Sequence, residues 1–547
     1  MSGDAQAFRE RAKRLADRVR KARSVAIFSH IDADGVSSAA IAFRAVERNG
    51  ACPKVHFLRS LSEKDINLIN SSGEDLVWVC DLGAGSYKSI DRSRCIITDH
   101  HHIFGSGQSF LELFDDMDNM LNPVEFGFEG STQLSGAGCT YFVARELDPA
   151  NVDLAYLAIV GAVGDLQDKK ARRLAGPLHA SVIEDALSTG VLQVVENDLP
   201  FFGWATRTAT AMIAFSNDLK AIGCECTFSE VSQLFKSHGV NTYRGRRDQS
   251  IKDENLSKYY SWSELESGSR NIVKIALRNS LQSMGKDPAV LDGMLGDVYL
   301  FPSYPVGSAS REAKEFATML NASGRYLHSK GDPAAADRTA PEGEERSEGF
   351  QGELIIKACL DPVSFSSDAM SRIGNHRENL KKGLEEIHSV VAMNHIQYIK
   401  GRMDSQESKN RSRYTLTAED TILGIIVGMA LDQRPNGAEV RFTVREDLPL
   451  VAMADVSPDT YPLEEGSAQD DKTPSGERVK VSGRMKRELV DQGVHLGEAM
   501  KQASLKVKGV GGGHNVAAGA TIPKKQIKRF LEALDQEIGE QKARFSP

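Results

Sequence analysis

The chain has 547 residues, of which 41% are hydrophobic and 26% are charged, and its formal net charge is −8. This composition is typical of a globular protein and excludes a wholly disordered chain and a broadly basic nucleic-acid-binding coat, although it leaves room for a local basic channel. The length is too great for one ordinary core, so we expect about two to four domains.

The sequence predicts neither a membrane span nor a secretion signal. Its longest apolar runs, 154–166 and 421–431, are shorter than the ~20 residues that a span requires. The N-terminal segment 2–23 mixes charged and apolar residues at helical spacing, and we expect it to form an exposed amphipathic helix. Seven cysteines without a CxxC pair disfavour a disulfide framework and structural zinc, so we expect a cytoplasmic protein.

The first 195 residues alternate between short apolar strands and helices, which predicts a parallel sheet with crossover helices. Three predicted strands, at 24–30, 75–83 and 94–102, end in acidic or histidine residues. Open α/β sheets bind ligands at the carboxyl ends of their strands. We therefore expect the chemistry of the protein at this edge of the sheet.

Beyond this region the pattern becomes mostly helical, with strong helical segments at 271–284 and 310–327. Two segments rich in Pro, Gly and charged residues, 330–349 and 458–477, predict mobile loops. From about residue 418 short apolar strands return and predict a separate C-terminal α/β domain. The predicted strands are 421–431, 439–444, 450–456 and 479–485.

Three side chains that can bind metals follow the first predicted strand. His30, Asp32 and Asp34 alternate in an extended segment, so their side chains point the same way. An imidazole and two carboxylates suit Mn²⁺ or Mg²⁺, which prefer oxygen ligands with an occasional imidazole. The alternative is an Asp-rich turn in which Asp34 caps the following helix.

Three further segments end in residues of the same kind. They end, in chain order, in Asp81, in the run Asp99, His100 and His101, and in Asp165. Buried groups of these types need a hydrogen-bond partner or a cation. Taken singly, each has an ordinary alternative: a common strand-end aspartate, an exposed histidine cluster, and a helix cap at a surface turn.

Together the four segments resemble the motif set of the DHH phosphoesterase superfamily. Their sequences, in chain order, are SHIDADG, CDLG, TDHHH and GAVGD. The resemblance extends to Asn122–Pro123 and to the helix start at 134–146, which are similar to RecJ-like members. The superfamily includes RecJ nucleases, nano-RNases, cyclic-dinucleotide phosphodiesterases and family II pyrophosphatases.

This resemblance implies two divalent cations, with Mn²⁺ favoured and Mg²⁺ as the alternative. The implied ligands are His30, Asp32 and Asp81 for one cation, and Asp34, Asp81, His100 and Asp165 for the other. Asp81 would thus bridge the pair. In a catalytic role, His101 would lie beside the scissile phosphate, and Asp99 would orient the neighbouring histidine.

Near the C-terminus, the run Gly511, Gly512, Gly513 and His514 resembles the GGGH signature of the DHH-associated domain. A glycine-rich loop lets backbone amides approach a phosphate, and a histidine can donate a hydrogen bond to it. A plain turn is the alternative for the glycines.

Two arginine elements resemble those of RecJ-type nucleases, where such residues contact substrate phosphates. Arg325 lies in an NAxGR-like element, and Ser482 and Arg484 lie in an SxR-like element. Guanidinium groups pair bidentately with phosphate oxygens. Structural salt bridges are the alternative for both arginines.

The long middle segment makes the chain most similar to archaeal RecJ-like exonucleases. The resemblance implies an α/β protein with its active-site cleft between two α/β domains. Its expected parts are a parallel-sheet DHH catalytic domain at 1–195, a mostly helical insertion with connecting helices at 196–417, and a smaller α/β DHH-associated, substrate-binding domain at 418–547.

The same resemblance implies the activity: removal of mononucleotides from an end of single-stranded DNA or RNA, in DNA replication or repair. Some archaeal relatives associate with the GINS replication complex, which makes GINS a candidate partner. Two alternatives stay open. One is a phosphodiesterase or nano-RNase acting on very short substrates, and the other is a non-catalytic replication scaffold, like the eukaryotic helicase component that keeps this fold without its metal ligands.

Overall fold

The chain forms two compact units, Met1–Ile373 and Gly374–Pro547, and each is described by itself. The computed structural model describes residues 3–101, 117–224, 226–251, 253–325, 355–364, 375, 378–401, 414–418, 422–432, 442–456, 478–513 and 515–545. Both predicted mobile loops, and part of the predicted strand 439–444, lie outside this range. Among the described residues, no helix combines the length and the apolar content that crossing a membrane requires.

The first unit is built on the parallel sheet that the sequence predicts. Its strands are β1 Ser24–His30, β2 Cys52–Leu58, β3 Leu76–Cys80, β4 Cys95–Thr98 and β5 Met120–Leu121. The order across the sheet is β2-β1-β3-β4-β5, and all four pairings are parallel. Side chains alternate between two cores: Val25 and Ile27 belong to one, and Ala26 and Phe28 to the other. Both faces of the sheet are therefore covered.

Helices from several parts of the chain pack around this sheet. They are α1 Ala5–Lys21, α2 Ala33–Arg48, α3 Glu63–Asn70, α4 Gly130–Gln133, α5 Gly136–Leu147, α6 Ala155–Gly164 and α7 Pro177–Ser188. Among the residues that the structure describes, the short 3-10 helices are Ala84–Ser89, Pro123–Phe126, Pro149–Leu154, Trp262–Glu264, Ala309–Arg311 and, in the second unit, Lys524–Gln526.

Helix α1 is amphipathic, as the sequence predicts, but the prediction that it is exposed is wrong. Phe8, Ala12, Leu15, Ala16 and Val19 are fully buried in the larger core. Their spacing places them on one helical face, which packs against the rest of the unit. The exposed charged residues, which include Lys13, Arg14 and Lys21, lie outside this buried face.

The middle of the first unit is mostly helical, as predicted, and has a core of its own. Its helices are α8 Ala209–Ala214, α9 Asn217–Ala221, α10 Phe228–Ser237, α11 Ser267–Ser283, α12 Ala289–Asp292 and α13 Ala313–Arg325, and two strands, β6 Gln193–Asp198 and β7 Gly296–Leu300, pair antiparallel. Further helical segments follow at 355–360 and, in the second unit, at 378–385.

The second unit is an α/β domain with a mixed sheet. Its strands are β8 Ile387–Ala392, β9 Gln397–Gly401, β10 Thr415–Leu416, β11 Leu450–Asp455, β12 Arg478–Arg484, β13 Val510–Gly513 and β14 Ala517–Pro523, and its helices are α14 Leu423–Leu431, α15 Glu488–Asp491, α16 Leu496–Leu505 and α17 Ile527–Phe545. The strand order is β13-β14-β12-β11-β9-β8, with β10 paired to β11. Strands β8 and β9 precede residue 418, at which the predicted C-terminal domain begins. The predicted domain boundaries and the predicted cleft between domains stay predictions.

One predicted strand of this unit is wrong. Residues 421–431 were expected to be extended, but Leu423–Leu431 is helix α14. A short run of apolar residues fits a buried strand and a buried helix equally well by pattern. The buried positions, which include Leu423, Ile426, Val427 and Ala430, follow helical spacing.

The burial of helix α1 can be tested by replacing its largest apolar side chain. The Phe8 ring meets those of Phe126 and Phe142 edge to face, with centroids 5.4 and 5.2 Å apart. We expect Phe8→Ala to lower the free energy of unfolding by about 3–5 kcal/mol, measured by chemical denaturation of the intact chain. Phe228→Ala is the matched control, because that ring is 50% exposed, and it should cost less than about 1 kcal/mol. Equal effects of the two substitutions would contradict the packing described for α1.

Candidate metal centre

Strand order brings the predicted ligands to one edge of the first sheet. Strands β1, β3 and β4 are neighbours, and all three run in the same direction. His30 ends β1, Asp81 follows β3 directly, and the run 99–101 follows β4 directly. Parallel strands present their carboxyl ends at the same edge. The predicted location of the chemistry therefore matches the observed convergence of these side chains.

The first group consists of His30, Asp32 and Asp81. His30 Nδ1 lies 2.9 Å from Asp32 Oδ2 and 3.7 Å from Asp81 Oδ2. Burial alone would lower the pKa of His30, but the two carboxylates outweigh it and raise that pKa to about 10. Asp32 also caps helix α2 by accepting a hydrogen bond from Gly35 N, at 3.0 Å. The helix cap that the sequence suggested at Asp34 is thus supplied by Asp32.

The second group surrounds His100. Its Nε2 lies 3.4 Å from Asp81 Oδ1, 3.7 Å from Asp34 Oδ2 and 3.8 Å from Asp165 Oδ2. His100 Nδ1 lies 2.9 Å from the carbonyl oxygen of Gly130, which can only accept, so Nδ1 carries a hydrogen. In the neutral ring this leaves the lone pair on Nε2, facing the three carboxylates. The arrangement is that of an imidazole poised to bind a cation.

Asp34 is held by the start of helix α5. Its two carboxylate oxygens accept hydrogen bonds from Gly136 N at 2.7 Å and from Ala137 N at 2.9 Å. Free amide groups and the helix dipole favour negative charge at this position. The carboxylate is packed so closely that a Cβ at Gly161 would lie 2.4 Å from Asp34 Oδ1. Even so, burial and the neighbouring charge of Asp81 raise the pKa of Asp34 well above its usual value.

Asp81 occupies the middle of the cluster and lies between both groups. Its side chain is 1% exposed, and its Oδ1 has no hydrogen-bond donor among the described residues. Its backbone is left-handed, with φ 55°, a conformation that is costly for a non-glycine residue. Gly136 permits this packing, because a Cβ there would lie 2.7 Å from both Asp81 Cβ and Asp81 Oδ1. A buried carboxylate oxygen without a donor is a position that a cation would satisfy.

The charge balance of the cluster fits divalent cations. Burial and the neighbouring carboxylate of Asp81 raise the pKa of Asp165 to about 6, despite the opposing effect of His100. Burial would lower the pKa of His100, but Asp165, Asp81 and Asp34 together raise it. Protonated imidazoles therefore supply positive charge that the carboxylates require. Divalent cations would supply the same charge and displace these protons, and the donor set of carboxylates with two imidazoles suits Mn²⁺ or Mg²⁺.

Asp99 and His101 form a pair beside this cluster. Asp99 Oδ1 lies 2.7 Å from His101 Nδ1 and accepts from His100 N at 2.7 Å, while Asp99 Oδ2 accepts from Ala84 N at 2.8 Å. Burial would raise the pKa of Asp99, but the two histidines and the backbone amides lower it. Asp99 is therefore an anion that fixes the ring of His101, whose Nδ1 lies 3.9 Å from Asp81 Oδ1.

Sequence reasoning missed a buried glutamine that links two of the ligands. Gln167 Nε2 donates to Gly130 O at 2.9 Å and to Asp165 Oδ2 at 3.2 Å. Its Oε1 accepts from His179 Nε2, at 2.8 Å. Burial, helped by the charge of His100, lowers the pKa of His179 to about 3, so its ring is neutral at pH 7. The sequence offers one weak signal, a glutamine two residues after the ligand Asp165.

A second missed contact comes from helix α13. Asn321 Oδ1 accepts a hydrogen bond from Ala33 N, the residue between Asp32 and Asp34, at 2.9 Å. Three residues later, Gly324 packs so tightly that a Cβ would lie 1.9 Å from Ile31 O. The same helix also contacts the mostly helical middle of the first unit, because the Glu315 carboxylate accepts a hydrogen bond from Ala205 N at 3.1 Å. Helix α13 therefore braces the loop that carries two ligands.

The predicted phosphate-binding residues lie apart from the cluster in sequence, and most are in the second unit. Ser482 pairs in register with Gly519 on β14, which pairs in turn with Gly512 on β13. The residues of this group that share one sheet are Ser482, Arg484, Gly511, Gly512 and Gly513. Residue His514 lies outside the described residues, and so does the side chain of Arg325, which ends helix α13.

The loop predicted for the three glycines is in fact an edge strand. Val510–Gly513 forms β13 and pairs antiparallel with β14. Glycine is required there by close packing, since a Cβ at Gly511 would lie 2.7 Å from Ser504 Oγ and 2.9 Å from Met500 O. Gly513 also has a φ of 138°, which other residues rarely adopt.

Comparison with known proteins agrees with this architecture. The DHH family N-terminal domain matches residues 24–161, and the DHHA1 domain matches residues 466–540. The chain thus carries both a DHH family N-terminal domain and a DHHA1 domain. It is 24% identical over 532 residues to uncharacterized protein MJ0831 of Methanocaldococcus jannaschii, with 94% of each chain covered.

Solved structures resemble the chain to different degrees. The crystal structure of CDC45 from Entamoeba histolytica has a TM-score of 0.55 at 11% identity, over 98% of this chain and 100% of that one. The crystal structure of exonuclease RecJ bound to manganese has a TM-score of 0.44 at 13% identity, over 100% of this chain and 97% of that one. The likeness to CDC45 shows a shared fold.

Gln167 offers a test of the cluster as a metal site. Gln167→Leu keeps a similar volume but removes both donated hydrogen bonds, so Asp165 and the Gly130 carbonyl lose their shared anchor. We expect the Mn²⁺ dissociation constant, measured by isothermal titration calorimetry, to rise about 10- to 100-fold. Gln282→Leu, on the exposed side of α11, is the matched control and should leave it unchanged. Wild-type affinity in a folded Gln167→Leu protein would show that this glutamine does not support the ligands.

Proposed function

We propose that this chain, which carries a DHH family N-terminal domain and a DHHA1 domain, is a two-metal phosphodiesterase that removes mononucleotides from an end of single-stranded DNA or RNA. The observation that carries the proposal is the buried Asp81 Oδ1, without a donor among the described residues and between two histidine–carboxylate groups. Such a position is expensive to maintain unless cations are bound.

The geometry supports the assignment of two cation positions that share Asp81. The first would be bound by His30, Asp32 and Asp81, and the second by Asp34, Asp81, His100 and Asp165. When bound, Mn²⁺ or Mg²⁺ at such positions lowers the pKa of coordinated water and neutralises charge that develops on the phosphoryl group. The protein contributes rigid ligands at the carboxyl edge of the sheet.

His101 is the side chain best placed to act on the phosphate itself. Burial would lower its pKa, but the carboxylate of Asp99 outweighs burial and raises it. A protonated ring keeps its Nδ1 hydrogen on Asp99 and carries a second N–H at Nε2. In the proposed reaction that group donates a hydrogen bond to a phosphate oxygen, and Asp99 positions the ring.

The polar groups that would grip the remaining phosphates follow from the sequence resemblance. They are Arg325, Ser482, Arg484, Gly511, Gly512, Gly513 and His514. Ser482, Gly519 and Gly512 are paired in register on three neighbouring strands. This pairing supports a common surface for the phosphate-binding residues proposed in the second unit. A role in DNA replication or repair in the cytoplasm, with a GINS-type complex as partner, is part of the same proposal.

The scaffold alternative predicts that metal ligation has been lost. Here each ligand expected from the motifs is present and lies within about a hydrogen-bond or ion-pair distance of another. The buried acceptor Gly130 O, which receives the His100 Nδ1 hydrogen, and the two amides that donate to Asp34 hold these side chains in place. Side chains held this firmly in a metal-binding arrangement favour an enzyme over a scaffold. Digestion of long and short substrates separates a nuclease from a small-substrate phosphodiesterase.

The decisive experiment is digestion of end-labelled single-stranded DNA and RNA in the presence of Mn²⁺. We expect the wild type to release mononucleotides and to lose this activity in EDTA. Asp81→Asn should lower the rate at least about a thousandfold, since it weakens both cation positions at once. Asp491→Asn, at an exposed position on α15, is the matched control and should keep the wild-type rate.

Each other outcome selects an alternative. Cleavage of dinucleotides without cleavage of longer strands would identify a small-substrate phosphodiesterase. Absence of cleavage with both Mn²⁺ and Mg²⁺ would overturn the enzyme proposal in favour of the scaffold. Equal rates for Asp81→Asn and wild type would show that the cluster is not the catalytic centre.

A further inference from the structure

A strongly basic loop follows the ligand Asp165 almost directly. Four of the five residues at 169–173, namely Lys169, Lys170, Arg172 and Arg173, are cationic, and all five are exposed. No salt bridge links these four side chains to another group among the described residues. The charge of the loop is opposite in sign to the net charge of the whole chain, which is −8.

Neighbouring carboxylates reduce this charge only in part. Asp168 and Asp297 lie close enough to interact electrostatically with the loop. Burial raises the pKa of both carboxyl groups, and the loop has four cations against these two carboxylates. Asp168 is partly buried, whereas the four cationic side chains reach solvent. The loop therefore presents a net positive surface.

The loop is fixed by backbone contacts at both ends. Lys169 N donates to Leu166 O at 3.1 Å, and Asp297 N, on strand β7, donates to Arg172 O at 2.8 Å. Leu174 N donates to the hydroxyl of Tyr299 at 2.7 Å. A loop held in this way presents its charges at defined positions, so an anionic ligand would not have to order a flexible tail.

A second unusual feature lies between the loop and the metal cluster. Leu166 has a left-handed backbone, with φ 59°, and its side chain is 58% exposed. Its neighbours Asp165 and Gln167 point into the cluster, where they meet each other at 3.2 Å. A strained backbone persists only where the surrounding structure holds it. Here it leaves the apolar side chain of Leu166 exposed beside the metal cluster.

We propose that the basic loop, Lys169 to Arg173, binds the phosphodiester backbone of single-stranded nucleic acid whose end occupies the metal centre, with Leu166 in contact with a sugar or base near that end. Lys169 is four residues from Asp165, so their backbones are at most ~14 Å apart. The inference rests on the proposed function and adds to it the contact that distinguishes a polymeric substrate from a short one.

The chemistry of the loop fits this ligand. Lysine and arginine neutralise backbone phosphates without reading sequence, and several adjacent cations suit an anion with regularly repeated charges. A dinucleotide has a single phosphodiester, which the metal centre itself would bind, so the loop would have little left to contact. The benefit of the loop should therefore increase with strand length.

The test compares a loop variant with a variant of equal charge change. The loop variant is Lys169→Gln/Lys170→Gln/Arg173→Gln, which leaves the left-handed Arg172 untouched. The control is Lys13→Gln/Arg14→Gln/Lys21→Gln, at exposed positions of helix α1. Both are made in an Asp81→Asn background for binding, so that the strand is not consumed, and in the otherwise wild-type chain for kinetics.

Binding of a fluorescent 20-nucleotide thymidine strand is followed by anisotropy at several salt concentrations. We expect the loop variant to raise Kd about tenfold or more at 0.1 M salt, and to reduce the slope of log Kd against log salt by about 2, as loss of three phosphate contacts predicts. In kinetics, kcat/KM should fall more for the 20-nucleotide strand than for a dinucleotide. The control should match the parent chain in all three measurements.

The outcomes separate this inference from the proposed function. Equal Kd and slope for loop and control variants would overturn the inference, and so would an equal loss of kcat/KM on long and short substrates. A parent chain that binds inorganic polyphosphate of equal charge but not the strand would also overturn it. If the strand binds through the loop but is not hydrolysed by the wild-type chain, the inference stands and the proposed exonuclease activity fails.

Discussion

The concentration of negative charge at the carboxyl edge of the first sheet is the constraint around which the first unit is built. Asp32, Asp34, Asp81 and Asp165 lie within a few ångströms of two histidines, and Asp34 and Asp81 are almost completely buried. Carboxylates so close together repel one another strongly where water cannot screen them. The fold must supply positive charge or hydrogen-bond donors at each of them.

The hydrogen-bond partners of the cluster come from different parts of the chain. The amides at the start of α5 hold Asp34, the carbonyl of Gly130 fixes which nitrogen of His100 faces the cluster, and Gln167 joins that carbonyl to Asp165. These partners determine how accurately the ligands are placed, which is what a metal centre demands of its surroundings.

The sequence predicts which side chains converge at the sheet edge because the signal is local. A strand that ends in an aspartate or histidine places that residue at the sheet edge whatever the rest of the chain does, and the order of the four motifs is read directly from the sequence. The same reasoning predicts the parallel sheet, the helical middle segment and the C-terminal α/β domain, all of which the structure confirms. Assignment of individual residues to cations and substrate stays a proposal.

What the sequence could not predict depends on contacts between distant residues. The apolar face of α1 is visible as a pattern, but its burial depends on partners more than a hundred residues away. The apolar run at 423–431 is compatible with strand or helix, and only packing decides. Gln167 is an ordinary polar residue in the sequence, and Asn321 belongs to the NAxGR-like element, but the contacts of both arise from what the folded chain places beside them.

The hydrogen bond between Asn321 and Ala33 joins residues 288 positions apart, so it can form only long after Ala33 has been synthesised. A ribosome that adds about 5–20 residues per second needs about 15 to 60 seconds to proceed from one partner to the other. Once residue 165 has been added, the nascent chain contains all four motifs, yet until residue 321 is made the loop that carries Asp32 and Asp34 lacks its brace. Maturation of the metal centre is therefore tied to completion of the first unit, and a polypeptide released early carries the motifs without the finished site.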